Sequence, residues 1–220
     1  QAPIFEVAEP VATIEARRLT TVAAVRAAMT DEEAVTDTAL ATIIDQVTAS
    51  MARFVNLAVD ARGTPPTFAS ELLRASWPVS WIERGSQLML PWRVPITEIV
   101  SVVESGVGLE PDTDFQLITG GILLRLVDDT PAAWAIGKIV VEYRAGWNLP
   151  DEAPAELAAA AAEQVKYAAL AAGRDPAVRS YSTPDLEQVS FSVPGGDSIG
   201  SSGLLIQVEA ALSPYRNLSF

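Results

Sequence analysis

The side chains with chemistry to offer in this sequence are almost all carboxylates. Asp and Glu number 28 against 15 Lys and Arg, and the chain contains neither His nor Cys. That removes the commonest general base, the commonest nitrogen ligand for transition metals, and every thiolate. What remains are carboxylate clusters, hydroxyls without a base, and five tryptophans. Asp112 and Asp114, in EPDTDF, have the spacing of the start of a calcium loop. Such a loop needs further oxygen ligands and a closing Glu at fixed spacing, which are missing, so the segment reads as a turn. Asp128-Asp129 could supply one member of a carboxylate pair for glycoside hydrolysis, but no second member is identifiable and a solvated turn is the simpler reading. Ser70, Ser80 and Ser86 have no His to activate them, and no Ser-x-x-Lys arrangement replaces it. Gly106-Val-Gly108 is too short to cradle phosphate.

Trp77, Trp81, Trp92, Trp134 and Trp147 all lie in the middle third of the chain. Interleaved with basic residues they would suggest a stacking platform for single-stranded nucleic acid or sugar. No basic run accompanies them, so core packing or a protein interface explains them better. The formal charge of -13 leaves little cation to neutralise phosphates, and only Lys138 and Lys166 are lysines. No cofactor or metal is expected. No run of 18 apolar residues is present, so no membrane-spanning helix and no membrane partner are expected. The opening QAPIFEVAEPVATIEARR lacks the basic and apolar regions of a signal peptide.

Around these residues the sequence changes period twice. Residues 1–19, with Pro3 and Pro10, read as an extended arm. A short helix follows over 20–29, with Leu19, Val22, Val25 and Met29 on one face. Thr30 and Glu33 form a capping-box signature before Leu40, Ile43, Ile44, Val47, Met51, Phe54, Val55 and Ala58. Those steps of three and four predict a helix over 31–60, about 45 Å long. Gly63, Pro65 and Pro66 end it. From 68 to 147 the text is strand-like, with strands predicted at Glu71–Ala75, Gln87–Leu90, Ile96–Glu104, Phe115–Thr119, Ile122–Val127 and Lys138–Arg144. Gly120-Gly121 has the form of a two-residue hairpin loop. An alanine-dominated helix follows at 154–172, opened by Pro154 and followed by Gly173. Residues 174–202 read as a loop, and a short helix at 204–212 is closed by Pro214.

The predicted fold is therefore α+β: a helical bundle with an inserted, small, mainly antiparallel β-sheet, a flexible N-terminal arm and a C-terminal tail. The organisation is an arm (1–19), a core (20–174) holding the β-rich insertion 68–147, and a loop, short helix and tail (175–220).

Four stretches, in this order, give the chain a resemblance to a known family. They are TDEEAVTDTALATIIDQVTASMARFV (30–55), LMLPWRVPITEIVSVVE (88–104), IVVEYRAGW (139–147) and LPDEAPAELAAAAAEQVKYAALAAGR (149–174), with an echo in the closing LSPYR. The chain resembles the head-to-tail connector (adaptor) proteins of tailed bacteriophages and related gene-transfer particles. The motif residues are Leu90, Pro91, Pro95, Ile96, Ile99, Val102, Val141, Tyr143, Gly146 and Trp147. The long N-terminal arm and the 174–202 segment depart from the pattern.

The resemblance implies a structural subunit and not an enzyme. It implies a ring of twelve copies under the portal protein at the virion neck, assembled in the host cytoplasm. Such a ring extends the DNA channel, passes genomic DNA without reading its sequence, and offers a platform to a stopper or tail-completion protein. Leu204, Leu205, Ser213, Pro214, Tyr215, Arg216, Asn217 and Leu218 are the expected docking residues for the portal or a neighbouring copy. The alternatives are another neck protein, such as a stopper or tail-completion factor, and a carboxylate-based hydrolase.

Overall fold

The structure, a computed structural model, describes residues 3–10, 13–29, 35–78, 85–172, 180–183, 187–190 and 199–216. In chain order its elements are β1 (Ile4–Glu9), α1 (Val22–Ala28), α2 (Asp37–Phe54), β2 (Glu71–Trp77), β3 (Gln87–Met89), β4 (Ile96–Glu104), β5 (Val107–Gly108), β6 (Phe115–Ile118), β7 (Ile122–Val127), β8 (Thr130–Pro131), β9 (Ile139–Ala145), α3 (Ala155–Ala172), β10 (Ser180–Thr183), β11 (Glu187–Ser190) and α4 (Ile206–Leu212). Single 3-10 turns lie at Glu15–Arg17 and Ser213–Tyr215. The α+β class read from the sequence is the class observed.

The helices form where the apolar period and the caps coincide. Thr21 caps α1 by accepting from the Ala24 amide, and Thr36 caps α2 by accepting from the Ala39 amide. The helix expected over 31–60 is thus shorter than its apolar stripe. It runs for 18 residues, about 27 Å. At its end Asn56 takes a positive φ of 60°, its amide donates to the Arg53 carbonyl, and the Leu57 amide reaches back to the Ala52 carbonyl. This is a Schellman motif with Asn at the left-handed position. The Thr30–Glu33 capping box lies outside the described residues. Leu40, Ile44, Val47 and Met51 of α2 pack with Val25 of α1, Leu157, Ala161 and Val165 of α3, and Val208 and Leu212 of α4 in one helical core.

The strands build two sheets and a separate two-stranded ribbon. The larger sheet has the order β1-β2-β9-β4-β5 and the second the order β3-β7-β6, with β8 on β7; every named pair is antiparallel. The second core lies between the sheets, where Leu73, Ala75, Trp77, Val141 and Tyr143 meet Leu88, Phe115 and Leu123. Residues 1–19 are not simply an extended arm. Pro3 and Pro10 bracket an edge strand whose Phe5 and Val7 are each 5 % exposed. The outer edge of that strand is closed by a loop: the Ala61 amide donates to the Phe5 carbonyl, and the Val7 amide donates to the Asp60 carboxylate. Part of the 174–202 segment is also not loop, since β10 and β11 pair from Ser180↔Ser190 to Thr183↔Glu187.

One hairpin loop differs from expectation. Ile118 pairs with Ile122, so the loop holds three residues, Thr119 to Gly121, and both its glycines have positive φ. The two-residue loop is instead Asp128-Asp129, between paired Val127 and Thr130, with φ of 50° and 57°. Two successive left-handed residues make a type I′ turn, a conformation that favours Asn-Gly.

Candidate interface site

The family-motif residues, scattered over 58 positions, come together where the sheets meet the helical core. β4 and β9 lie side by side, with Ile99 opposite Tyr143 and Val102 opposite Val141. Val102, Val141 and Tyr143 are buried, whereas Ile96 and Ile99 are only half-buried. The Tyr143 hydroxyl donates to the Pro91 carbonyl at 3.1 Å, fixing the strand to the segment that enters β4. Burial pushes the Tyr143 phenol well above its ordinary range, and nearby Arg93 opposes that only in part. Pro95 and Pro150 each follow a cis peptide bond.

Gly146 follows β9 at a φ of 109°, its amide bonded to the Pro95 carbonyl. A Cβ here would stand 2.2 Å from the Ala69 carbonyl oxygen, so only glycine lets the two backbones approach. Trp147 comes next. Its ring lies 6.2 Å from that of Phe68 and 5.8 Å from that of Tyr215, the latter edge-on. Trp92 completes the cluster by donating its indole N–H to the Tyr215 carbonyl at 3.1 Å. The Tyr215 hydroxyl donates to Glu156 Oε1 at 2.5 Å, and its pKa is pushed up to about 12, first by burial and then by that carboxylate. Arg216 stacks its guanidinium 4.9 Å above the Phe54 ring. The C-terminal segment is thus fastened at the junction through residue 216.

The expected docking residues divide accordingly. Leu204 and Leu205 are 3 % and 6 % exposed, packed in the helical core, and the Leu205 amide donates to Gln164 Oε1 at 2.8 Å. Their side chains serve the interior of the subunit. Ser213, Pro214 and Arg216 are exposed and Tyr215 is half-buried. Asn217 and Leu218 lie outside the described residues. Of the tryptophans, Trp77 and Trp134 are core side chains, Trp92 and Trp147 belong to the junction, and Trp81 lies outside the described residues. Among the described residues the tryptophans do not form a stacking platform.

Sequence reading missed a buried ionic group beside the junction. Glu71 is 1 % exposed and Arg93 3 % exposed, with Arg93 Nη1 3.7 Å from Glu71 Oε2 and 2.8 Å from the Thr67 carbonyl. Arg17 approaches the other Glu71 oxygen at 3.7 Å. Burial pulls the Arg93 pKa down, and the Glu71 charge resists it. The alternation of β2, with Glu71 in phase with Leu73, Ala75 and Trp77, is the signal that places a carboxylate on the inward face. A cleft of about 370 Å³ adjoins the junction, lined by Leu90, Trp92, Pro95, Ile96, Leu117 and Gly121 among others, and no carboxylate lines it. Among the described residues, no group of three or more His, Cys, Asp or Glu is placed to hold a metal ion, and no helix is long and apolar enough to cross a membrane. Asp114 accepts from the Glu110 amide and braces its own turn, while Asp128 and Asp129 are exposed at the hairpin tip.

No protein-family model matches the sequence, and no curated protein matches it. Solved structures do. A chain in the neck of a native gene transfer agent particle computed with C12 symmetry aligns at a TM-score of 0.54 and 15 % identity, over 98 % of this chain and 97 % of that one. This chain has the fold of a gene transfer agent neck chain. A chain in the neck of the empty particle, computed with C6 symmetry, aligns at a TM-score of 0.52 and 15 % identity over 98 % and 96 % of the two lengths. One from the native virion aligns at 0.53 and 13 % identity over 99 % and 97 %. Each of the three alignments thus spans 98 % or more of this chain.

Proposed function

We propose that this chain is a structural subunit of a virion neck, of the head-to-tail adaptor kind. In this reading identical copies form a ring, twelve in number, that docks under a portal protein and continues the DNA channel. The ring then presents a platform to a stopper or tail-completion protein. The observation that carries the reading is end-to-end similarity of fold to chains from particle necks, two of them computed with ring symmetry. A ring subunit must contact neighbours through two different surfaces, and closure follows when the rotation between copies allows it. Twelve copies would bring a formal charge of 12 × -13 = -156. Such a wall would neutralise few phosphates, so DNA would pass without adhering. The absence of His and Cys, and the carboxylate-free cleft at the junction, fit a role without chemistry.

Docking would use the segment that begins at Ser213, launched from the Trp92–Trp147–Tyr215 cluster, and assembly would take place in the host cytoplasm. Cryo-electron microscopy of particles, with and without the chain, tests the reading. The expected result is a ring of density at the neck that is lost, together with tail attachment, when the chain is deleted. Intact necks in the deletion would overturn it.

A further inference from the structure

Two faces of this chain carry charge that the chain does not neutralise, and the two have opposite sign. The first is built around Glu104. Its Oε2 holds Arg125 Nε at 3.2 Å and its Oε1 accepts from the Ala135 amide at 2.6 Å, while the adjacent Ser105 amide donates to the Lys138 carbonyl. These bonds gather three loop tips at one end of the sheets. The tips carry Ile136 (75 % exposed) and Val107 (65 %), the two most exposed large apolar side chains among the described residues, together with Val127 (50 %). Glu110, Asp112, Asp128 and Asp129 accompany them, all exposed. Among the described residues none of the four has a cation within 4.0 Å; Arg125 at that end is engaged by Glu104 and Asp114, and Lys138 is exposed.

The second face is the corner where α2 meets the C-terminal segment. Among the described residues every arginine has a carboxylate within 4.0 Å except Arg53 and Arg216. Those two flank Phe54, and both are exposed. Val59, 56 % exposed, follows Ala58, whose amide bonds the Trp92 carbonyl, and Trp92 in turn bonds Tyr215. Glu156 beside this corner is engaged by the Tyr215 hydroxyl.

We infer that these faces are the two halves of one head-to-tail contact between identical chains. The apolar tips and acidic groups of one copy seat against the Arg53–Phe54–Val59–Arg216 corner of the next. Each face has exposed apolar area with charge beside it, the anatomy of a protein interface, and the charges complement each other. Two arginines are too few to grip a phosphate backbone, and four carboxylates would repel one. Because the faces differ, the contact is heterologous and each copy keeps one of each free for the next. The inference rests on the ring-subunit reading and assigns its lateral surfaces.

The test uses three variants of the full chain, with self-association followed by sedimentation and mass photometry at low and high salt. Arg53→Glu/Arg216→Glu makes both faces acidic, and Glu110→Lys/Asp128→Lys/Asp129→Lys makes both basic. Each alone should weaken the self-contact about tenfold or more, and an equimolar mixture should restore assembly to within about threefold, because every contact in an alternating ring is again complementary. Asp128→Asn/Asp129→Gly removes two charges while relaxing the turn, so it should weaken association by about three- to tenfold without loss of fold. Variants that associate like the parent, or a mixture no better than its components, would overturn the face pairing and leave the ring reading standing. A parent that stays monomeric at every concentration would overturn the ring reading and the pairing with it.

Discussion

The indole N–H of Trp92 donates to the carbonyl oxygen of Tyr215 at 3.1 Å, joining positions 123 residues apart. One partner sits in the proline-rich entry to β4, the other at the end of the last helix. The bond therefore couples the sheet insertion to the C-terminal segment, and it holds the place from which that segment leaves. Trp92→Phe keeps an aromatic ring, smaller than the indole, and removes the donor. It should cost about 1 kcal/mol in urea unfolding and leave the sheet core intact. An unchanged midpoint would show that the bond adds nothing.

Gly146 should tolerate no side chain. Gly146→Ala adds a Cβ at 2.2 Å from a backbone oxygen, at a φ only glycine adopts without strain. A loss of about 4 kcal/mol or more is expected, read as loss of soluble folded protein by circular dichroism. A well-folded variant would contradict the close approach of the backbones.

The buried Glu71–Arg93 pair should be asymmetric to substitution. Glu71→Ala strands a desolvated guanidinium and should cost about 3–5 kcal/mol, whereas Glu71→Leu/Arg93→Met should cost far less. Thermal unfolding of the three proteins measures the difference. Equal costs for the single and double variants would show that the charges are not coupled.

Tyr215 and Asp60 contribute to the pH dependence of stability in opposite senses. Tyr215 has a folded pKa raised to about 12, so its contribution is complete below its ordinary value near 10. That contribution is lost as pH rises towards 12, and Tyr215→Phe should flatten this alkaline limb. Asp60 behaves in the opposite sense. Burial alone would raise its pKa, but bonds from Thr64 (2.5 and 2.8 Å), Val7 and Arg62 hold it below the usual value. Its contribution is present above about pH 4 and lost as pH falls through the lowered value. Asp60→Asn should remove that part of the acid limb in unfolding measured from pH 2 to 6 (about the carboxylate range).

The Asp128-Asp129 turn should be improvable. Both residues sit at positive φ, so Asp128→Asn/Asp129→Gly should stabilise the chain by about 1 kcal/mol. Differential scanning calorimetry checks it, and a lower melting temperature would mean that the carboxylates help to hold the turn.

The strands were the most legible part of the sequence. Ile139–Ala145 falls within a residue of where the alternation of IVVEYR puts it, because a strand with unequal faces writes them directly into residue order, and Ile96–Glu104 and Ile122–Val127 fall where apolar runs and flanking turns put them. The end of α2 was not legible. Its apolar stripe continues through Val55 and Ala58, and the stop depends on Asn56 turning left-handed, which no periodicity records. β1 was read as an arm because Pro3 and Pro10 leave only six residues between them, too few for the alternation of Phe5 and Val7 to stand out. The Glu71–Arg93 pair needed three segments brought together, and the junction needed the neighbours of Gly146. Sequence order revealed the motif residues, but not that they form one hub.

The loop at Asp60 and Ala61 that closes the outer edge of β1 has a consequence for storage. An uncovered edge strand invites a like strand from the next molecule, and that addition has no natural end. With the Phe5 carbonyl and the Val7 amide already occupied, that route to stacking is blocked on this side of the sheet. At high concentration the folded chain is then protected from fibre growth along this edge, leaving association to side-chain surfaces whose number per copy is finite.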